Sequence, residues 1–303
     1  MVDWLRRLWR KITMPKHEPR LAVAYVEGDP PPAHVRDRCE VIFDGGAAKM
    51  PAVVDKDGNY HGTRIREQAI DGKPTDEHCW IWLKDAQLVR YDLERLKMRQ
   101  TRMQDFGRHI QAMIDFPRPG GKPVRVDLVN EALSPKRDEI VKTHPALVEQ
   151  PSFAELAEYF AFAKRKAPHL RFCLNEWGLE WNDNRVDRFL TMFKLMHSAF
   201  PMDDVIVGFQ AHLAAGKSLA PWRRIAAELQ AAGIAMYVTE LDIEGTEAEQ
   251  SAIAREVMKI VRDFKMEQVT VWHWRDKNHW KPGAAPFRKD GTPKPWAKII
   301  GLA

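Results

Sequence analysis

Two glutamates each close a short apolar run. Val124-Arg125-Val126-Asp127-Leu128-Val129-Asn130-Glu131 and Ala235-Met236-Tyr237-Val238-Thr239-Glu240-Leu241-Asp242 both have the length and composition of strands, and each delivers a carboxylate at its C-terminal end. In an α/β barrel that end of every strand opens into the active site. Two carboxylates facing each other there are the minimum equipment for cleaving a glycosidic bond. Taken singly, an Asn-Glu pair at a strand end is more often a cap or a surface loop, and Thr239-Glu240-Leu241-Asp242 also fits a helix start. The elements around the two glutamates therefore decide the matter.

Those elements alternate. From residue 78 the strand-like runs are His78–Leu83, Val124–Asn130, Leu170–Leu174, Val205–Phe209, Ala235–Leu241 and Val269–Trp274. Helical runs lie between them: Ala86–Phe116, Ser152–Lys166, Arg185–Phe200, Ser218–Ala232 and Glu247–Phe264. Ser152 with Glu155 three residues on has the pattern of a capping box, and Gly233 is the expected C-cap of its helix. Such alternation argues for a parallel sheet covered by helices. Leu21–Val26 and Cys39–Phe43 supply two further strands, completing eight. The stretch between residues 44 and 77 shows no helical run, Pro30-Pro31-Pro32 breaks any long helix, and Asp55–Asn59 has the composition of a hairpin tip. The expected fold is α/β, a (β/α)8 TIM barrel with an irregular N-terminal quarter, formed by residues 21–303 as a single domain behind a basic amphipathic segment, residues 1–20.

Composition narrows the function classes. The 303 residues are 45% hydrophobic and 29% charged, with a net charge of +5. Residues 1–20 alone carry six Lys/Arg against two acids, leaving 41 basic and 40 acidic groups for the remainder. A nearly neutral body lacks the basic face that nucleic acid requires. His78-Cys79-Trp80-Ile81-Trp82 has a faint likeness to histidine-metal nuclease segments, but the other ligands of such a site are missing. Cys39, Cys79 and Cys173 are odd in number, widely spaced and without a CxxC, which fits buried thiols rather than a disulfide framework or a zinc site. No run approaches the ~18–20 apolar residues of a membrane span. Trp4, Leu5, Leu8, Trp9 and Ile12 share one helical face among arginines. This leaves contact of residues 1–12 with an anionic membrane surface, with a partner, or with the body itself open. The interrupting arginines do not fit a secretory signal, and cellular location stays open.

From about residue 78 to the C-terminus the chain resembles glycoside hydrolase family 10, the β-1,4-xylanases and their relatives. The resemblance rests on Val126-Asp127-Leu128-Val129-Asn130-Glu131-Ala132-Leu133, Gly208-Phe209-Gln210-Ala211-His212-Leu213, Thr239-Glu240-Leu241-Asp242-Ile243, and Trp272 followed eight residues later by Trp280, in the family's order. Asn175-Glu176-Trp177-Gly178 looks like a looser form of the family's Asn-Asp-Tyr-Asn, and His78 with Trp82 like part of its His-Thr-Leu-Val-Trp-His. The resemblance implies Glu131 as general acid/base, its pKa raised by burial and by the second carboxylate, and Glu240 as nucleophile. It implies retention of configuration, for which the carboxyl groups stand about 5–5.5 Å apart rather than about 6.5–9.5 Å. It also implies that Asn130 donates to the sugar 2-hydroxyl, that His212 orients Glu240 with Asp242 behind it, and that Gln210 shares the His212 face and contacts the sugar. Trp272 and Trp280 become sugar platforms, and His78, Trp82 and Asn175 complete the substrate-binding set. The implied partner is xylan or another β-1,4-linked oligosaccharide, acted on by a monomer that needs neither metal nor cofactor.

The chain also departs from the family. No Glu-Asn-x-x-Lys stretch is recognisable before His78; Leu83 stands where the third-strand motif closes on histidine; Trp177 replaces a tyrosine; and His273, Trp274 and Arg275 are bulkier than the glycine common after Trp272. The glycone side is therefore expected to be remodelled. Two further readings stay open at the level of sequence: the same mechanism on short xylo-oligosaccharides, aryl glycosides or another β-glycan, and a glycan-binding barrel without turnover.

Overall fold

The computed structural model describes residues 18–67, 70–82, 95, 98–118, 123–133, 152–277 and 279–303. Residues 1–17 of the basic segment, Leu83 and nearly all of the stretch before Met98 in the helix expected over Ala86–Phe116 lie outside the described residues.

Eight strands form a nearly closed barrel: β1 (Arg20–Tyr25), β2 (Val41–Asp44), β3 (Asp76–Trp82), β4 (Arg125–Asn130), β5 (Phe172–Glu176), β6 (Ile206–Phe209), β8 (Met236–Glu244) and β9 (Gln268–Val271). A short β7 (His212–Ala214) pairs with the far end of β8. Around the barrel the order is β2-β1-β9-β8-β6-β5-β4-β3, every pairing is parallel, and the Ile42 N–H donates to the Pro74 carbonyl at 3.1 Å where β2 approaches β3. All eight expected strands are present, displaced by at most three residues at an end.

The helices are α1 (Ala33–Arg36), α2 (Met50–Val53), α3 (Thr63–Glu67), α4 (Arg99–Asp115), α5 (Phe153–Lys166), α6 (Asp183–Ala199), α7 (Ala220–Ala231), α8 (Glu247–Asp263) and α9 (Pro295–Ile299). The short α2 and α3 occupy the stretch where no helix was expected; four or five residues are too few to show a helical period. The hairpin tip is present, with Val54 bridging Tyr60 antiparallel and Gly58 at φ +82°. Gly233, at φ +75°, ends α7 as expected.

Parallel strands buried on both faces must be apolar nearly throughout. Outward-facing residues such as Val126, Leu128, Val207 and Val238 join the inner faces of the helices in one continuous core. Inside the barrel, Ala22, Ala24, Val41, Phe43 and Trp272 form one small cluster and Cys173, Ile206 and Tyr237 another. The three cysteines are buried free thiols. At the start of α5 Ser152 accepts from the Glu155 N–H at 3.1 Å, but the capping box stops there. The Glu155 carboxylate instead takes both Arg102 Nε and Nη2 at 2.7 Å, together with the Tyr159 hydroxyl, and so fastens α4 to α5. A full box forms at α8, between Thr246 and Glu249.

Arg102 and Glu155 are each about 1% exposed. Arg102→Ala leaves a carboxylate buried without its cation and should cost about 3–5 kcal/mol in urea unfolding. Arg102→Met with Glu155→Gln should cost clearly less than the sum of the two single changes. An additive double mutant would show the pair is not coupled.

Candidate active site

The barrel interior is charged where β3 meets β4. Asp76 and His78 alternate along β3, Arg125 and Asp127 along β4, and the register sets Asp76 opposite Arg125 and His78 opposite Asp127. Period-two alternation turns all four to one face. All four are at most 2% exposed. Arg125 approaches Asp76 at 3.4 Å and Asp127 at 3.2 Å, while Gln268 on β9 donates to Asp76 at 2.6 Å. Burial pushes the Asp76 carboxyl above its ordinary value, against the pull of Arg125. One residue higher in each alternation, His78 Nδ1 lies 2.8 Å from Asp127 Oδ2 and 3.6 Å from Glu240 Oε1.

Glu240, on β8, is 4% exposed. Asn175 at the end of β5 donates to its Oε1 at 2.7 Å, and His212 Nε2 stands 3.4 Å from its Oε2. His212 Nδ1 in turn lies 2.9 Å from Asp242 Oδ2, an oxygen that also accepts from the Trp280 indole N–H at 2.8 Å. The β7–β8 pairing places His212 directly opposite Asp242. Burial alone would raise the Glu240 carboxyl; His78, His212 and the Asn175 amide outweigh it and hold the group at about 2. The same balance acts on the histidines. Burial disfavours their charge, yet acidic surroundings raise both to about 10: Cys79, Glu240 and Asp127 for His78, Asp242 and Glu240 for His212.

Glu131 follows β4 with φ +52°, Ala211 follows β6 at +57°, and His273 follows β9 at +65°. Left-handed backbone at residues with a Cβ costs of order 1–3 kcal/mol each and gathers where a side chain must be aimed. Here all three lie at strand ends around the same cavity. The Glu131 N–H donates to the Asn175 carbonyl at 2.8 Å, and Gln210 Nε2 stands 3.3 Å from both Glu131 Oε1 and Asn130 Oδ1. Asn175 donates to the same Asn130 oxygen at 2.8 Å, so hydrogen bonds run from Glu131 through Gln210, Asn130 and Asn175 to Glu240. With its oxygen accepting twice, Asn130 keeps its NH2 as the donating end. Gly208 makes room for this: a Cβ there would meet Asn175 Oδ1 at 2.7 Å and Cys173 Sγ at 2.8 Å.

A cavity of about 670 Å³ opens over these groups. Of the residues singled out from the sequence, His78, Trp82, Glu131, Gln210, His212, Glu240, Trp272 and Trp280 line it. Asn130, Asn175 and Asp242, at most 1% exposed, stand behind them. Of the three bulky residues after Trp272, only His273 lines the cavity; Trp274 and Arg275 turn to Asp29, which receives the indole N–H on its carbonyl at 3.0 Å and Arg275 Nε on its carboxylate at 3.0 Å.

Sequence reasoning gave no role to Asp127, Asp76 or Arg125. Their signal was charge at alternate positions of apolar strands. It also missed Glu176, whose carboxylate takes the Leu133 N–H at 2.9 Å and Arg185 Nη2 at 2.7 Å, securing the chain just after Glu131. Glu180, buried and pushed up to about 7 by that burial, accepts the Ala211 N–H at 2.7 Å between Gln210 and His212. At the end of β2, where the Glu-Asn-x-x-Lys stretch was sought, Asp44-Gly45-Gly46 is followed by Lys49, whose ammonium lies 5.1 Å from the Trp82 ring centre and 5.9 Å from that of Trp272.

The sequence profile described as glycosyl hydrolase family 10 matches residues 25–301. The chain belongs to glycosyl hydrolase family 10. Within the family it is 28% identical over 143 residues to endo-1,4-beta-xylanase A of Phanerodontia chrysosporium, a match covering 44% of this chain and 34% of the relative. It is 24% identical over 269 residues to endo-1,4-beta-xylanase D of Talaromyces funiculosus, covering 84% and 64%. This chain thus spans less than two thirds of either relative. Among solved structures, xylanase 10B from Thermotoga petrophila RKU-1 in complex with xylobiose superposes with a TM-score of 0.80 at 18% identity, over 94% of this chain and 93% of that one. That likeness establishes the family 10 barrel as the fold.

The charges around Glu240 make stability depend on pH from both sides. Glu240, lowered from 4.5 to about 2, contributes fully above pH 4.5 and loses its contribution as pH falls through 2. His78 and His212, raised from 6.5 to about 10, contribute fully below pH 6.5 and lose theirs as pH rises through 10. The contributions of these three groups are all present between about pH 4.5 and 6.5, and His212→Asn should flatten the decline of the thermal unfolding midpoint on the alkaline side. A midpoint that climbs steadily from pH 7 to 9 would contradict the assignment of charged histidines.

Proposed function

We propose that residues 21–303 act as one domain that hydrolyses internal β-1,4-xylosidic bonds of xylan or xylo-oligosaccharides with retention of configuration. The observation that carries this reading is a buried carboxylate, Glu240, kept ionised by two flanking histidines and linked through Asn175, Asn130 and Gln210 to a second carboxylate in the same cavity. Membership of family 10, the names of the xylanase relatives, and the xylobiose held by a structural neighbour support the choice of xylan.

In this mechanism Glu131 protonates the glycosidic oxygen as the bond to the anomeric carbon breaks, and Glu240 attacks that carbon from the opposite face to form a covalent glycosyl ester. Water then attacks the same carbon, giving its proton to Glu131 and releasing Glu240. His78 and His212 keep Glu240 anionic before attack, and the hydrogen bond to Asn175 fixes its rotamer. Asn130 offers its NH2 to the sugar 2-hydroxyl, and Trp272 and Trp280 present ring faces to the sugars. The chemistry needs two carboxylates and water.

Soluble β-1,4-xylan incubated with the protein should yield new reducing ends. Glu131→Ala should lower turnover of xylan by about 10²–10⁴-fold, the range a positioned acid contributes. Glu240→Ala should abolish it. Azide should restore turnover of an activated aryl β-xyloside in both, as the α-glycosyl azide with Glu240→Ala and the β-glycosyl azide with Glu131→Ala. Full activity in either variant, or the reverse pairing of anomers, would overturn the assignment.

A further inference from the structure

The cavity does not stop at the catalytic pair. It runs past Trp272 to the ends of β1 and β2, where Glu27, Asp44, Lys49 and Arg64 join its lining. None of these four lies in the short motifs that carry the resemblance. The loop after β2 is shaped for what enters there: a Cβ on Gly45 would meet Trp272 Cη2 at 2.9 Å, and one on Gly46 would meet Arg64 Nη2 at 3.1 Å. Two consecutive glycines thus admit an indole and a guanidinium side by side. Arg64, on α3, donates to Asp44 Oδ2 from Nε at 3.2 Å and from Nη2 at 2.6 Å, and its Nη1 lies 3.3 Å from Glu27 Oε2. Asp44 Oδ1 accepts the Gly46 N–H at 2.8 Å, which locks the carboxylate that locks the arginine. One guanidinium therefore spans from the end of β2 to the residue two past β1.

We propose that Arg64, held by Asp44 and Glu27, closes the glycone end of the groove and recognises the non-reducing terminus of a short β-1,4-linked oligosaccharide. The inference rests on the function proposed above and narrows its substrate class. A terminal sugar carries free 3- and 4-hydroxyls, whereas an internal unit has its 4-oxygen substituted. A guanidinium fork beside a carboxylate offers adjacent donors and acceptors, which is what a vicinal diol requires. These four groups are electrically balanced, two carboxylates against Arg64 and Lys49, as suits a neutral sugar.

The test compares kcat/KM on xylotetraose and on soluble xylan, together with the positions cut in reducing-end-labelled xylohexaose, for the wild type, Arg64→Ala and Glu27→Gln. Glu27 is 71% exposed in its side chain, so its change keeps the test available if Arg64→Ala unfolds. The wild type should prefer the oligosaccharide and cut it at fixed bonds near the non-reducing end. Arg64→Ala should lose about 10- to 100-fold on xylotetraose, the worth of a hydrogen bond to a charged group, keep its rate on xylan, and spread its cuts along the chain. Glu27→Gln should shift the cuts in the same direction. Equal losses on both substrates, or an unchanged cutting pattern in both variants, would overturn this inference alone. Silence of the wild type on every xylose polymer and oligomer would overturn the proposed function, and this inference with it.

Discussion

A carboxylate that must stay charged while buried is the constraint around which this molecule is arranged. Glu240 at 4% exposure would take up a proton in an apolar pocket, because burial penalises the ionised form more than any single neighbour favours it. The remedy is collective: an imidazolium on either side and an amide N–H beneath. Each imidazolium is itself a buried charge and needs its own counter-ion, which Asp127 provides for His78 and Asp242 for His212. Asp127 then lies close to Asp76, and Arg125 sits between the two. The charge inside the barrel thus propagates from one requirement at its C-terminal mouth down to the Gln268–Asp76 hydrogen bond.

The strands supply this arrangement because a parallel barrel brings residues distant in sequence into register. His78 and Asp127 are 49 residues apart and share one rung of the ladder. The second requirement is aim. Strand ends point side chains up or down in alternation, and Glu131, Ala211 and His273 break that alternation through left-handed backbone. Neighbouring groups hold the strained turns in place: the Asn175 carbonyl takes the Glu131 N–H, and the Glu180 carboxylate takes that of Ala211. Glu176 and Arg185 do the same for Leu133, beyond Glu131.

This division explains what could be read from the sequence. The eight strands were legible because buried parallel strands are near-continuous apolar runs; Glu131 and Glu240 were legible as carboxylates at strand ends, and Gln210, His212 and Asp242 through the motifs that resemble the family. The Arg102–Glu155 and Asp44–Arg64 pairs were not legible, since the partners are 53 and 20 residues apart and no local pattern joins them. Ser152-x-x-Glu155 has the spacing of a capping box, yet a buried arginine competes for the same carboxylate and wins, because a desolvated charge pair binds more strongly than a backbone N–H at a solvated helix start. Trp274 and Arg275 looked like obstructions in the groove, whereas past the left-handed His273 both turn to Asp29.

The site is therefore made of two kinds of structure under different constraints. Groups around Glu240 sit on strands and are mutually dependent: removing a charged one leaves its partner uncompensated in the barrel, so this part cannot change piecemeal. At the rim, Asp44 ends β2, Glu27 follows β1 and Arg64 sits on a five-residue helix, and the three satisfy one another without involving Glu240. Such a cluster can be exchanged without disturbing the charge balance beneath. That independence leaves the rim free to vary while the charged interior around Glu240 stays fixed.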